Sequence, residues 1–275
     1  MNSEYGDIDV RQEYYSKTFV LLEIVKNMQG REVCFLKSKV DVEGYSRKAT
    51  PVRCVKAHSL DYLKKNFEAF GFSQKNYNIY SSVASFKDMP MFSYNPVKRK
   101  AEQDLFFNEG LFSACWVGYD FAIDIDGNTI DEAYKDAKKV KALFDGFGVS
   151  YSLRFSGLRG FHFVVPYEYF APKDMKLKEV VKLCEHIAFG ISAVEDITSI
   201  DLSIYQPQRV LKAPYSIGGG TNVCLPLSDK EFENFNIKDM QIDNVLKRVN
   251  LKGRGLLQRQ NLNNCNALID MYGGY

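Results

Sequence analysis

Phe121-Ala122-Ile123-Asp124-Ile125-Asp126-Gly127 is an apolar run that carries acids at alternate positions. In a strand, side chains two apart point to the same face. Asp124 and Asp126 therefore converge while Ile123 and Ile125 turn to a core. Two adjacent carboxylates repel each other unless a cation lies between them, and hard divalent ions such as Mg²⁺ and Mn²⁺ favour such oxygen ligands. Gly127 permits an immediate turn. The plainer reading is a solvated strand end. Asp120 shares the parity, but it lies a full strand length from Asp126 and reads as peripheral.

Downstream, Ile130, Ala133, Tyr134, Ala137, Val140, Leu143 and Phe144 recur at helical spacing over 128–147. Thr129 and Glu132 form a capping-box signature, and Gly146 and Gly148 mark the end. Ser150–Arg154 and Phe161–Val165 read as strands. Between them lies Ser156-Gly157-Leu158-Arg159-Gly160-Phe161-His162. Gly157 and Gly160 clear side chains from a backbone that an anion could approach. Ser156 offers a hydroxyl, Arg159 a forked cation and His162 a ring N–H. A triphosphate needs such a set; a glycine-rich hairpin with an incidental arginine is the other reading. One helix separates this loop from the paired acids, as a strand-helix-strand unit requires.

Hydrophobic-Asp-x-Asp, then Ser-Gly-x-Arg-Gly-x-His, then Ile200-Asp201 followed by Arg209–Ser216 resembles the archaeo-eukaryotic primase superfamily. Tyr14-Tyr15 with Arg31-Glu32, and Trp116–Asp120, resemble the opening and the motif lead-in of archaeal primase small subunits. The resemblance covers most of the chain. It implies an α+β catalytic core, with a mixed N-terminal α/β module packed on an RRM-like module and the active site between them. It implies one catalytic domain over 1–275, with sub-modules 1–112 and 113–275. The implied function is template-dependent nucleotidyl transfer, making short primers from nucleoside triphosphates.

By the same resemblance Asp124, Asp126 and Asp201 hold two divalent ions, Mg²⁺ or Mn²⁺. Ser156, Gly157, Arg159, Gly160, His162, Arg209, Lys212 and Ser216 bind the nucleotide. Single-stranded DNA is the implied template, and a primase large subunit or another replication or repair protein the implied partner. Lys212 stands where relatives often carry Arg, and Gly218 and Gly220 where they often carry His and a basic residue. Gly218-Gly219-Gly220 reads as a flexible hairpin turn. Lys212–Ile217 with Leu225-Pro226-Leu227 also resembles the polymerase domain of end-joining ligases. A gap-filling repair polymerase and a catalytically silent nucleic-acid-binding subunit therefore stay open.

The chain has 275 residues, 45% hydrophobic and 25% charged. That excludes disordered and collagen-like classes. No run has the ~20 apolar residues of a membrane span. The net charge of +2 excludes a protein that holds nucleic acid by gross positive charge. Local basic patches remain: Arg47, Lys48, Arg53 and Lys56, and Lys247 with Arg248, read either as template tracks or as solvated faces. Lys98-Arg99-Lys100 reads as a solvated loop. The six cysteines form no CxxC pair, so no zinc is expected. The polar, acidic start and the cysteine usage point to the cytoplasm, and the resemblance implies association with the nucleoid. Elsewhere the pattern predicts a helix over 10–28, strands at 32–36, 52–55, 77–84, 197–202 and 223–227, and helices over 58–70 and 176–189. It leaves 87–110 irregular and expects short helices after 229.

Overall fold

The computed structural model describes residues 4–37, 52–56, 59–69, 77–87, 92–93, 95–108, 111–170, 175–247 and 265–273. Arg47, Lys48 and Arg248 lie outside them. The described residues build two antiparallel sheets. The first contains β1 (Arg31–Lys37), β2 (Val52–Lys56), β3 (Tyr77–Phe86), β4 (Trp116–Tyr119) and β8 (Val210–Lys212). Its order is β2-β1-β3-β4, and β8 pairs β3 beside β4. Register places Tyr80 opposite Lys212 and Ala84 opposite Tyr119. β4 and β8, both beyond residue 112, thus complete the sheet of the N-terminal part.

The second sheet contains β5 (Phe121–Asp126), β6 (Ser152–Phe155) and β7 (Gly160–Val165), in the order β5-β7-β6. Ile200 bridges Ile125 on the free edge of β5. With α6 (Ile130–Gly146) after β5 and α8 (Leu177–Val194) after β7, the order is βαββαβ, its last strand reduced to one bridge. This agrees with the RRM-like expectation for this part.

The two faces of the second sheet differ. Phe121, Ile123, Ile125, Phe161 and Phe163 are fully buried on the side covered by α6 and α8. Helix α6 presents Ala133, Ala137, Val140 and Phe144 to them, and its Thr129–Glu132 capping box is formed. Burying each such large side chain contributes roughly 1.5–3 kcal/mol. The opposite face carries Ala122, Asp124 and Asp126 from β5 and Asp120 just before it, with His162 and Arg154 beside them. It faces the first sheet. Charged groups are therefore sandwiched between sheets, where an apolar core would be usual.

Several elements differ from expectation. The N-terminal helix is two helices, α1 (Glu4–Ser16) and α2 (Thr18–Asn27), broken at Lys17, which is extended (φ −72°, ψ 113°). The break lets Tyr14 reach Tyr215 O at 2.9 Å while Val20, Leu21, Ile24 and Val25 are buried along α2. Between 87 and 110, α4 spans Pro96–Asn108. Asn95 Oδ1 accepts from the Val97 and Lys98 amides, and Pro96 supplies a ready-made first turn. Lys98-Arg99-Lys100 is thus helical. Arg99 is buried, with Nη1 donating to Ser93 O at 3.0 Å, and Lys100 pairs with Asp104.

The remaining helices are α3 (Leu60–Ala69), α5 (Leu111–Cys115), α7 (Tyr167–Phe170), α9 (Asp229–Glu233), α10 (Ile242–Lys247) and α11 (Cys265–Tyr272). Residues 197–202 and 223–227 make only isolated bridges where strands are expected. No helix among the described residues is long and apolar enough to cross a membrane.

Candidate active site

Backbone pairing assembles the acids. Asp124 lies opposite His162 and Asp126 opposite Gly160. On the other edge of β5, the Asp201 amide donates to Asp124 O at 2.9 Å and the Asp126 amide to Ser199 O at 2.8 Å. Ser199 is fixed in turn by Asp136 of α6, whose Oδ2 accepts from its hydroxyl at 2.6 Å and its amide at 3.2 Å. Three carboxylates from two segments, 75 residues apart in sequence, thereby share one end of the sheet.

Their surroundings are cationic. Arg159 Nε donates to Asp126 Oδ1 at 3.0 Å, both side chains being about half exposed. Arg209 Nη2 lies 3.6 Å from Asp201 Oδ2, which also caps a short turn through Oδ1 to the Ser203 amide at 2.9 Å. His162 Nε2 is 3.4 Å from Asp124 Oδ1, and Arg154 Nε donates to His162 Nδ1 at 3.0 Å. Lys212 comes from the first sheet, its Nζ 5.7 Å from the Tyr80 ring centre. The Arg209 Nε is buried without a partner among the described residues.

Burial pushes Asp124 up to about 7, helped by the negative charges of Asp201 and Asp126 and opposed by Arg209 and Arg154. Burial also drives His162 well below the usual imidazole range, and Arg154, Lys212 and Arg209 add to this. The histidine is therefore neutral at pH 7. Burial lowers Lys212 in the same way. The cluster thus sets acids against cations, paired in part through Arg159–Asp126 and Arg209–Asp201.

As the side chains stand, Asp126 turns to Arg159 and Asp201 to Ser203 and Arg209. Among the described residues, no three carboxylate, imidazole or thiol groups already form a metal cage. The donor chemistry nevertheless fits a hard divalent cation: the acids offer only oxygen, and Asp124 is raised first by burial and then by its acidic neighbours, a cost to its charge that such an ion would relieve.

The glycine loop is built on close approach. A Cβ on Gly160 would fall inside the contact radius of Ile125 O, so only glycine lets β7 pair β5 there. Ser156 Oγ accepts from the Gly160 amide at 3.1 Å, closing the loop. Gly157 adopts φ 89° and its carbonyl accepts from the Gly219 amide at 2.8 Å. A side chain on Gly218 would strike the same carbonyl. The turn expected to be flexible is thus pinned. Its Gly218 amide donates to Asn222 O at 2.7 Å, and Tyr15 Oη accepts from the Ile217 amide at 2.9 Å. These glycines serve contact between two loops rather than freedom.

One expectation needs correction, and Asp120, read as peripheral to the acids, gains a structural role. Ser216, expected to face a nucleotide, is fully buried and its Oγ donates to Ala213 O at 2.7 Å, so it builds the turn. Asp120 is structural: it pairs with Arg31 at 2.6 Å and accepts from the Tyr167 amide at 3.1 Å. Of the expected template residues, Arg53 and Lys56 lie on β2, the edge strand, and Lys247 is exposed at the end of α10. None of the three is brought to the acids. Arg154 and Arg11 are the residues that sequence reasoning missed. Arg11 is buried and donates to Asn78 Oδ1 at 2.6 Å, close enough to Lys212 to lower it. The alternation Ser152-x-Arg154-x-Ser156 carried a signal for Arg154, since period two puts all three on the face shared with His162.

No family model matches the chain. An uncharacterized protein of Methanocaldococcus jannaschii, MJECS07, is 31% identical over 145 residues, which cover 46% of this chain and 32% of that protein. The chain thus spans about a third of that relative's length. The structure is similar to the polymerase domain of Mycobacterium tuberculosis ligase D, solved in complex with DNA. The TM-score is 0.53, with 14% identity and 87% of each chain covered. The chain shares the mixed α/β fold of that polymerase domain.

Proposed function

We propose that this chain belongs to the archaeo-eukaryotic primase superfamily and is a template-dependent nucleotidyltransferase that makes short primers. One observation carries the reading: Asp124, Asp126 and Asp201 meet at one sheet end, faced by Arg154, Arg159, Arg209, His162 and Lys212. The fold shared with a polymerase domain supports it.

In this reading the nucleotide's triphosphate lies between the acids and the cations. Arg159 and Arg209 exchange their present carboxylate partners for phosphate oxygens, to which a guanidinium fork is well matched. The buried Arg209 Nε gains an acceptor. His162 gives one hydrogen bond from a neutral ring. Lys212 adds charge from the opposite sheet. Gly157 and Gly160 shape the loop that carries Arg159, their open sides being filled by Gly218 and Ile125. Asp124, Asp126 and Asp201 would hold two Mg²⁺ or Mn²⁺ ions. Such ions, when bound, align the 3′-hydroxyl with the α-phosphate and stabilise the departing pyrophosphate. Arg53, Lys56 and Lys247, with Arg47, Lys48 and Arg248, are proposed to follow a single-stranded DNA template. A partner subunit would supply affinity that a +2 chain lacks.

A second reading, a polymerase that extends primed gaps without initiating, is favoured by the fold shared with the ligase D domain. Incorporation assays with Mg²⁺ or Mn²⁺, using ribo- and deoxynucleotides on primed and unprimed templates, separate the two. De novo oligonucleotides support priming; product only on primed gaps supports repair. Synthesis that survives Asp124→Ala with Asp126→Ala removes the metal assignment.

A further inference from the structure

A guanidinium between two sheets is costly unless its donors are used. Arg154 is 8% exposed, and it is placed by register directly opposite His162. It lines a small cavity between the sheets with Arg31, Asp120 and Ser152. Its Nε points at His162 Nδ1, 3.0 Å away. Guanidinium groups donate and never accept. The Nδ1 atom must therefore accept, and so carries no proton. The ring's single proton resides on Nε2, which faces Asp124 Oδ1 at 3.4 Å. That separation is longer than a normal hydrogen bond, so the N–H is aimed at the acidic centre without being consumed there.

We propose that Arg154 is a positioning residue that fixes His162 as the Nε2–H tautomer, making it a one-proton donor to a phosphate oxygen. It follows that His162 does not act as a general base, because its lone pair is on Nδ1 and already bound to Arg154. The donor role rests on the nucleotide reading of this site; the tautomer itself does not. Arg154 acts through a hydrogen bond rather than through its charge.

The side chains of Gln and Met separate these. Glutamine Nε2 is as many bonds from the backbone as arginine Nε and donates without charge. Methionine has the same reach and no donor. The chain has only three histidines, so long-range ¹H–¹⁵N spectra of histidine-labelled protein resolve each ring, and His162→Gln identifies its signals. Wild type and Arg154→Gln should show His162 with Nε2 protonated and Nδ1 a bare acceptor. A wild-type ring protonated at Nδ1 would overturn the proposal whatever the protein's activity.

Calorimetry with the α,β-methylene analogue of ATP and Mg²⁺ reads the consequence. Arg154→Met should weaken binding about tenfold, the value of one well-placed hydrogen bond to a charged group. Arg154→Gln should stay within about threefold. Equal loss in both variants would mean that charge matters and would also overturn the proposal. If wild type binds no nucleotide, the nucleotide reading fails, while the spectra still decide the Arg154–His162 assignment.

Discussion

Replacing Asp124 by asparagine should stabilise the metal-free protein at alkaline pH. Burial, then Asp201 and Asp126, raise this carboxyl from 3.8 to about 7. Between those values the folded chain keeps a proton that the unfolded chain has released. Stability therefore falls as pH rises from about 4 to about 7, and the deficit is complete above pH 7. Three pH units at about 1.4 kcal/mol each set a ceiling of about 4 kcal/mol. Asparagine is neutral throughout, so Asp124→Asn should recover about 2–4 kcal/mol at pH 8, a rise in Tm of roughly 3–7 °C for a chain of this size. At pH 5 the gain should shrink to less than half. The assay is thermal or urea unfolding in a chelator at both pH values, repeated with excess Mn²⁺. Manganese should reverse the order, stabilising wild type above the variant. A gain of equal size at both pH values would show packing rather than charge at work. A loss at pH 8 would refute the repulsion argument outright.

Gly160→Ala should unfold the β5–β7 pairing, costing about 3 kcal/mol or more by forced overlap with Ile125 O, measurable by chemical denaturation. Little change in the denaturation midpoint would contradict the packing described. Arg31→Met leaves Asp120 buried and unpaired between the sheets, so about 3–5 kcal/mol of stability should be lost. Arg31→Met with Asp120→Leu should regain most of it; no recovery would place the cost elsewhere. Arg159→Ala should leave Tm unchanged, because the side chain is half exposed, yet raise the KM for nucleotide roughly tenfold or more. An unchanged KM would remove Arg159 from the phosphate site.

The acids and the loop were legible because period-two alternation and glycine spacing are local properties. Asp124, Asp126 and the Thr129–Glu132 box could be read within a dozen residues of chain. Arg154 was not, because its meaning depends on pairing with His162 across a register that no single strand encodes. Asp120 read as peripheral although it shares the parity of the metal-type acids; only its encounter with Arg31, from 89 residues earlier in the chain, explains it. The Asn95-Pro96 helix start is present in the sequence, but the basic run Lys98-Arg99-Lys100 beside it equally suits a solvated loop. Gly218–Gly220 was read by composition as a flexible turn. The loop it abuts, 60 residues upstream, shows instead that glycine at Gly218 is needed for proximity, while Gly220 serves a positive φ.

The first sheet is closed on its far side by β4 and β8, and β8 is made about 130 residues after the segment of β3 that it pairs. Until then the outer edge of β3 offers unpaired amides and carbonyls, an invitation to the wrong strand. At ordinary synthesis rates of about 5–20 residues per second, that edge waits for roughly 6–26 s on the ribosome. Such long-range closure makes folding slow. A nascent chain halted before residue 210 should therefore be a client for chaperones and a seed for aggregation, whereas in the longer chain β8 covers that edge.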